Sequence, residues 1–103
     1  MELIETAVFT RQAAALWDDE EYRAFQRSLL ERPDQGTVIT GSGGLRQVRW
    51  TIPGRGKRGG ARVIYYWAAN DDQIFLLLAY DHREKDDLTK AEVARLRKLI
   101  EAE

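Results

Sequence analysis

The chain has 103 residues, 44% of them hydrophobic and three of them tryptophan, which is enough to bury one hydrophobic core. It has no cysteine and one histidine, which excludes disulfides, thiolate zinc sites and multi-histidine metal sites. We expect a single domain over residues 1–103 that uses no metal ion and no cofactor. No window approaches the ~20 apolar residues of a membrane span, and no basic start followed by an apolar core opens the chain, so a cytoplasmic protein without a membrane partner is expected.

The first third of the chain predicts a strand followed by two helices. The alternating stretch ELIET predicts a short strand, and Thr6 is suited to cap a helix that runs to about Trp17. Asp18 and Glu21 have the spacing of a capping box for the second helix. Pro33 ends that helix, because the residue before a proline is disfavoured in the helical region.

From Gly36 onward the pattern changes to strands. GTVITGSGG predicts a glycine-rich connection, LRQVRW a strand from about Leu45, PGRGKRGG a hairpin loop and ARVIYYWAA the returning strand. The apolar run QIFLLLAY predicts a strand buried on both faces. Thr89 and Glu92 form a second capping box, before a helix with one apolar face. The order βααβββα indicates an α+β fold, an antiparallel meander sheet packed by helices.

The formal net charge of -1 is unevenly distributed along the chain. Residues 1–34 carry eight acidic and four basic side chains, and residues 71–103 carry nine acidic and six basic ones. Residues 35–70 carry six basic side chains and no acidic one, and such a segment attracts phosphate or carboxylate groups. A solvated hairpin kept soluble by its arginines would have the same composition. The six are Arg46, Arg49, Arg55, Lys57, Arg58 and Arg62.

Several of these stretches together resemble one protein family. LRQVRW, GKRGGARVIYY and LLLAYDHREKDDLT, with the earlier DDEEYRAFQRSLLERPDQGTVITGSGG, resemble the HigB branch of the RelE/ParE superfamily, the toxins of type II toxin–antitoxin systems. The resemblance implies a RelE-like βααβββα fold and a ribosome-dependent mRNA endoribonuclease that inhibits translation. It also implies two partners: the ribosome with its mRNA, and a cognate antitoxin, for which we expect a helix-turn-helix DNA-binding protein.

The resemblance also implies a set of catalytic residues. RNA cleavage without a metal ion uses the neighbouring 2′-hydroxyl as nucleophile, so it needs a proton acceptor, cations for the phosphorane and an acid for the leaving oxygen. Guanidinium groups suit the second task, because their planar fork meets two phosphate oxygens at once. Arg62 matches the phosphate-binding arginine of the strand motif, and Lys57 and Arg58 match the basic loop before it.

The segment DHREK lies where RelE-like toxins carry a basic cluster. We predict a catalytic role for Arg83 and proton transfer by His82, because histidine is the side chain whose unperturbed pKa lies near neutrality. If His82 is only a solvated surface residue, then Lys57, Lys85 or the hydroxyl of Tyr80 carries the proton. The residues predicted to bind RNA are Arg46, Arg49, Arg55, Lys85 and Tyr80.

A second class of function stays open, a non-catalytic or ParE-like member of the fold that binds an antitoxin and inhibits another target. ParE-like chains generally lack a dense basic site, so the six cations favour the nuclease. The acidic overall balance favours the alternative, because counterion release drives the binding of basic proteins to RNA. The chain also departs from the family pattern: Asp81 and His82 replace small residues or lysine, and Leu88 and Thr89 stand where some relatives carry a tyrosine.

Overall fold

Strands and helices follow the predicted order in the computed structural model, which describes residues 1–52 and 60–101. Residues 53–59, and with them the predicted site residues Arg55, Lys57 and Arg58, lie outside the described residues. A 3-10 turn, Ala69–Asp71, joins the last two strands. The elements are β1 (Glu2–Glu5), α1 (Ala7–Leu16), α2 (Asp19–Glu31), β2 (Thr37–Val38), β3 (Leu45–Trp50), β4 (Ala61–Ala68), β5 (Gln73–Asp81) and α3 (Lys90–Glu101).

The strands form one sheet in the order β1-β5-β4-β3-β2. Strands β2 to β5 are an antiparallel meander, and β1 adds to its edge by pairing parallel with β5. The predicted α+β fold is thereby confirmed. One element was missed: the predicted connection over GTVITGSGG contains β2, whose Thr37 and Val38 pair with Gln47 and Arg46 of β3. Two residues between glycines carry little strand signal of their own, and the pairing with β3 supplies the order.

The helix boundaries follow from side-chain caps. The hydroxyl of Thr6 accepts a hydrogen bond from the Phe9 N–H at 3.0 Å, and Asp18 Oδ1 accepts one from the Glu21 N–H at 2.8 Å. Each cap satisfies a backbone donor that has no partner within its helix. The N–H of Glu92 bonds in the same way to the hydroxyl of Thr89 at 3.1 Å, so the three predicted N-caps are confirmed.

Helices cover the sheet on both faces. On one face α1 and α2 contribute Phe9 and Leu29 to a cluster that includes Val63 of β4, and on the other α3 packs Leu96 against Ile64. Ala61 and Val63 belong to the cluster under α1 and α2. Successive strand residues point to opposite faces, so Arg62, which lies between them in the chain, is on the α3 face. β5 is buried on both faces, as predicted. None of the described helices is long and apolar enough to cross a membrane.

Candidate functional site

Three predicted site residues form a row across neighbouring strands. Arg49 of β3 is the direct partner of Arg62 of β4, and Arg62 is the direct partner of Tyr80 of β5. Directly opposite residues of antiparallel strands share a face. The sheet thus places two guanidinium groups and a phenol side by side on the α3 face, although they are up to 31 positions apart in sequence.

A cleft of about 560 Å³ opens at the end of β3 and the start of β4, next to this row. The backbones are close here: a Cβ on Gly60 would lie 3.0 Å from the carbonyl oxygen of Trp50, so a larger residue would require a small backbone shift. The indole of Trp17 anchors the rim by donating to the Thr51 carbonyl at 2.8 Å. The cleft is lined by Arg49, Trp50, Thr51, Gly60, Ala61, Arg62 and His82.

Arg62 is a buried cation in this cleft. Its side chain is 7% exposed, and its Nη1 donates to the carbonyl of Asp86 at 3.0 Å and to Oδ1 of Asp87 at 2.6 Å. Its Nε is buried and has no hydrogen-bond partner among the residues that the structure describes. A buried N–H without a partner costs free energy in the folded protein, so this arginine has a hydrogen-bonding capacity that the fold itself does not use.

Tyr80 is connected to Arg62 through a shared acceptor. Its hydroxyl donates to the same Asp86 carbonyl at 2.9 Å. Burial raises the pKa of Tyr80, and the positive charge of Arg62 offsets part of that effect. The phenol therefore keeps its proton at neutral pH and acts as a hydrogen-bond donor.

His82 lies at the cleft and is partly covered. Its side chain is 33% exposed, and its backbone N–H bonds to the Gly60 carbonyl at 3.1 Å, which ties the end of β5 to the start of β4. Its Nδ1 is buried and has no hydrogen bond to another described residue. It lies 3.7 Å from Oδ1 of Asp86, an ion pair only when the imidazole is protonated. The side chain therefore lines the same cleft as Arg62 and lies near one carboxylate.

Two predicted RNA-binding residues are engaged elsewhere. Arg46 lies on the opposite face of the sheet from Arg62, where its Nη1 donates to the carbonyls of Asp34 and Gly36 at 3.1 and 2.8 Å. The Nζ of Lys85 donates to both carboxylate oxygens of Glu92 at 2.7 and 2.6 Å. The structure therefore places neither residue in the cleft, and both have local partners that a ligand would have to replace.

Arg49 and Arg83 are more accessible. Arg49 is exposed and lines the cleft, and its side chain makes no hydrogen bond or ion pair with another described residue. Arg83 is 57% exposed on the segment after β5, with its Nε 3.8 Å from Oδ1 of Asp81. Of the predicted residues that the structure describes, Arg49, Arg62, Tyr80 and His82 lie together, and Arg83 lies next to them in the chain.

The Lys85–Glu92 pair stabilises the start of α3, and we predict that its contribution depends on pH. Two hydrogen bonds lower the pKa of Glu92 from 4.5 to about 2. The one from Lys85 has the largest effect, and the one from the backbone N–H of Thr89 comes second. Because the pKa in the folded state lies below that in the unfolded state, the stabilisation is complete above about pH 4.5 and is lost as the pH falls towards 2. Glu92→Gln should therefore lower the free energy of unfolding at pH 7 more than at pH 3, as measured by urea denaturation. An equal loss at both pH values would contradict the ion pair.

Sequence reasoning missed two acidic residues of the site, Asp86 and Asp87. They appear in the sequence only as part of the mixed segment DHREKDD. The available signal was the position of Arg62 in a strand buried on both sides, since a buried guanidinium requires an acceptor.

The described residues contain no cluster of three or more acidic or histidine side chains that could hold a metal ion.

No known protein-family model matches the sequence. The fold is similar to that of the toxin RelE of E. coli, solved as a mutant in the free state, with a TM-score of 0.62 and 11% sequence identity. The similarity covers 91% of this chain and 94% of the RelE chain. It confirms the predicted RelE-like fold. At this identity only the fold is established.

Proposed function

We propose that this protein is a HigB-like toxin of a type II toxin–antitoxin system, a ribosome-dependent mRNA endoribonuclease that acts in the cytoplasm and inhibits translation. The observation that carries the proposal is the convergence of Arg49, Arg62 and His82 on one cleft. Two guanidinium groups can neutralise a phosphate, and the imidazole beside them can exchange a proton near neutral pH. The RelE-like fold and the family resemblance support the same conclusion.

In this proposal each side chain has one task. Arg62 and Arg49 bind the non-bridging oxygens of the scissile phosphate and stabilise the charge that develops on the phosphorane. His82 accepts the 2′-proton, and the 2′-oxygen forms a bond to phosphorus while the bond to the 5′-oxygen breaks. The leaving 5′-oxygen takes a proton from solvent water, and Arg83, Lys57 and Arg58 add positive charge around the phosphate. The products are a cyclic phosphate and a free 5′-hydroxyl.

A toxin of this kind also needs an inhibitor and a larger substrate. We propose that a cognate antitoxin, a helix-turn-helix DNA-binding protein, covers the basic cleft and keeps the toxin inactive. Complementary charge would favour that complex, since the cleft presents arginines. The mRNA is cleaved on the ribosome, where Arg55, Arg46, Lys85 and Tyr80 are the remaining candidates for RNA contacts.

Induction of the protein in a bacterial host should arrest growth and produce new 5′ ends within a translated message, because the activity requires the ribosome. Primer extension on a translated and an untranslated copy of the same message measures this directly. Co-expression of the antitoxin should restore growth and remove the cuts. Growth arrest without mRNA cleavage would reject the nuclease and favour a ParE-like inhibitor of another target; no growth arrest would reject the toxin.

A further inference from the structure

Arg62 lies between two depressions in the surface. It lines the cleft that also contains His82, whereas Asp87 lines a neighbouring groove of about 550 Å³ together with Gln47, Leu88 and others. The two residues meet through Nη1 of the arginine and Oδ1 of the aspartate, 2.6 Å apart. The aspartate thus holds the guanidinium from the side of the groove, and the arginine borders the cleft.

We infer that Asp87 is a positioning residue for Arg62. Its hydrogen bond to Nη1 turns the Nε–Nη2 edge of the guanidinium towards a phosphodiester in the cleft. The inference rests on the proposed function and adds to it a residue that the family resemblance does not supply. Nη1 is saturated by the Asp87 carboxylate and the Asp86 carbonyl. Nε, by contrast, is buried and has no hydrogen-bond partner within residues 1–52 and 60–101. Nε and Nη2 form one of the two-donor edges with which arginine binds two phosphate oxygens at once.

The negative charge of Asp87 repels a phosphate in the cleft only weakly. The side chain of Asp87 is 84% exposed, so water screens its repulsion of a phosphate in the cleft. Its short hydrogen bond to Nη1 nevertheless restricts the rotation of the guanidinium. Tyr80 strengthens the same arrangement, because its hydroxyl holds the Asp86 carbonyl that Nη1 also contacts. The aspartate therefore contributes orientation at a small electrostatic cost.

The opposite role for Asp87 makes a different prediction. If its carboxylate occupied the position of the RNA phosphate, its removal would tighten RNA binding and would not slow cleavage. A positioning residue affects the chemical step, because misplacing a group that acts in the transition state lowers the rate at saturation. The two roles therefore differ in whether removal of the carboxylate lowers kcat.

The experiment compares Asp87→Ala and Asp87→Asn with Glu84→Ala in ribosome-dependent cleavage of a defined mRNA. Glu84 is an exposed acid of the same segment whose side chain bonds to no other described residue, so its variant controls for the lost charge. We expect Asp87→Ala to lower kcat about tenfold without raising KM, since a small misplacement of a transition-state group suffices for such a loss. Asp87→Asn should recover most of the rate, because it keeps the acceptor oxygen. Equal rates for Asp87→Ala and Glu84→Ala, or faster cleavage by Asp87→Ala, would overturn the inference.

A second measurement is independent of cleavage. The Nε–H signal of Arg62 in a ¹⁵N NMR spectrum should be sharp and slow to exchange with water in the parent, and broadened in Asp87→Ala through rotation of the guanidinium. An unchanged signal in Asp87→Ala would overturn the inference. If the parent cleaves no mRNA but the signal broadens as expected, the proposed nuclease fails while the positioning of Arg62 by Asp87 stands.

Discussion

Arg62→Ala is expected to lower ribosome-dependent mRNA cleavage by about 10²- to 10³-fold and to leave the host able to grow on induction. Removing one preorganised donor from a developing anion typically has an effect of that size, about 2.7 to 4 kcal/mol in the chemical step. Arg62 is the buried member of the arginine pair in the cleft, with a side chain 7% exposed. Its interaction with phosphate is therefore little screened by water. Single-turnover cleavage on programmed ribosomes measures the change.

The fold should survive this substitution. Asp87, the partner that loses its ion pair, is 84% exposed and can be solvated by water. The substitution also removes a buried Nε that has no hydrogen bond in the described part of the chain. Arg62→Lys should restore only part of the activity, because an ammonium group lacks the bidentate fork. Arg27→Ala is the matched control, since this arginine is exposed on α2.

The role of Arg62 is contradicted if Arg62→Ala, folded by circular dichroism, cleaves within about threefold of Arg27→Ala, far less than the loss expected for a transition-state contact. It is also contradicted if Arg62→Lys cleaves as well as the parent, because a point charge would then suffice. A loss of activity that is accompanied by loss of cooperative unfolding would instead make Arg62 a residue of the core.

His82→Gln is expected to lower cleavage by about 10²-fold while binding to the ribosome persists, since general base catalysis typically contributes at least that much. The imidazole lines the cleft with Arg62, and the Asp86 carboxylate 3.7 Å from Nδ1 can stabilise the imidazolium that forms when the proton arrives. Glutamine fills a similar volume and keeps polar atoms at the rim, so the loss should reflect proton transfer.

The pH dependence of the rate separates this role from simple packing. A general base must be neutral to accept a proton, so the parent rate should be lower in acidic than in neutral buffer, and His82→Gln should lose that difference. Unchanged cleavage by His82→Gln would reject the role. Among the remaining candidates, Tyr80 would have to lose a proton that burial retains, and Lys85 would have to leave Glu92. That outcome would direct attention to Lys57.

Local patterns in the sequence determined the helices, most of the strands and the face on which Arg62 lies. Thr6, Asp18 and Thr89 were identified as caps because a capping side chain bonds to a backbone N–H within the next three residues. The alternation along β4 places Arg62 and Val63 on opposite faces of the sheet, which is also a matter of local geometry. These features depend on neighbours in the chain, so one sequence is enough to predict them.

Only the tertiary structure decided which charged side chains are free to bind a ligand. Arg46 and Arg49 are both arginines of one predicted strand. Arg46 nevertheless bonds to the carbonyls of Asp34 and Gly36, whereas Arg49 borders the cleft. Lys85 is joined to Glu92 across the turn before α3. The pairing of Arg62 with Asp87 links positions 25 residues apart. Such contacts depend on how the loops return to the sheet, because a charged group pairs with the partner that the fold brings near it. The distance between two such groups in the folded chain is not encoded in any local sequence pattern.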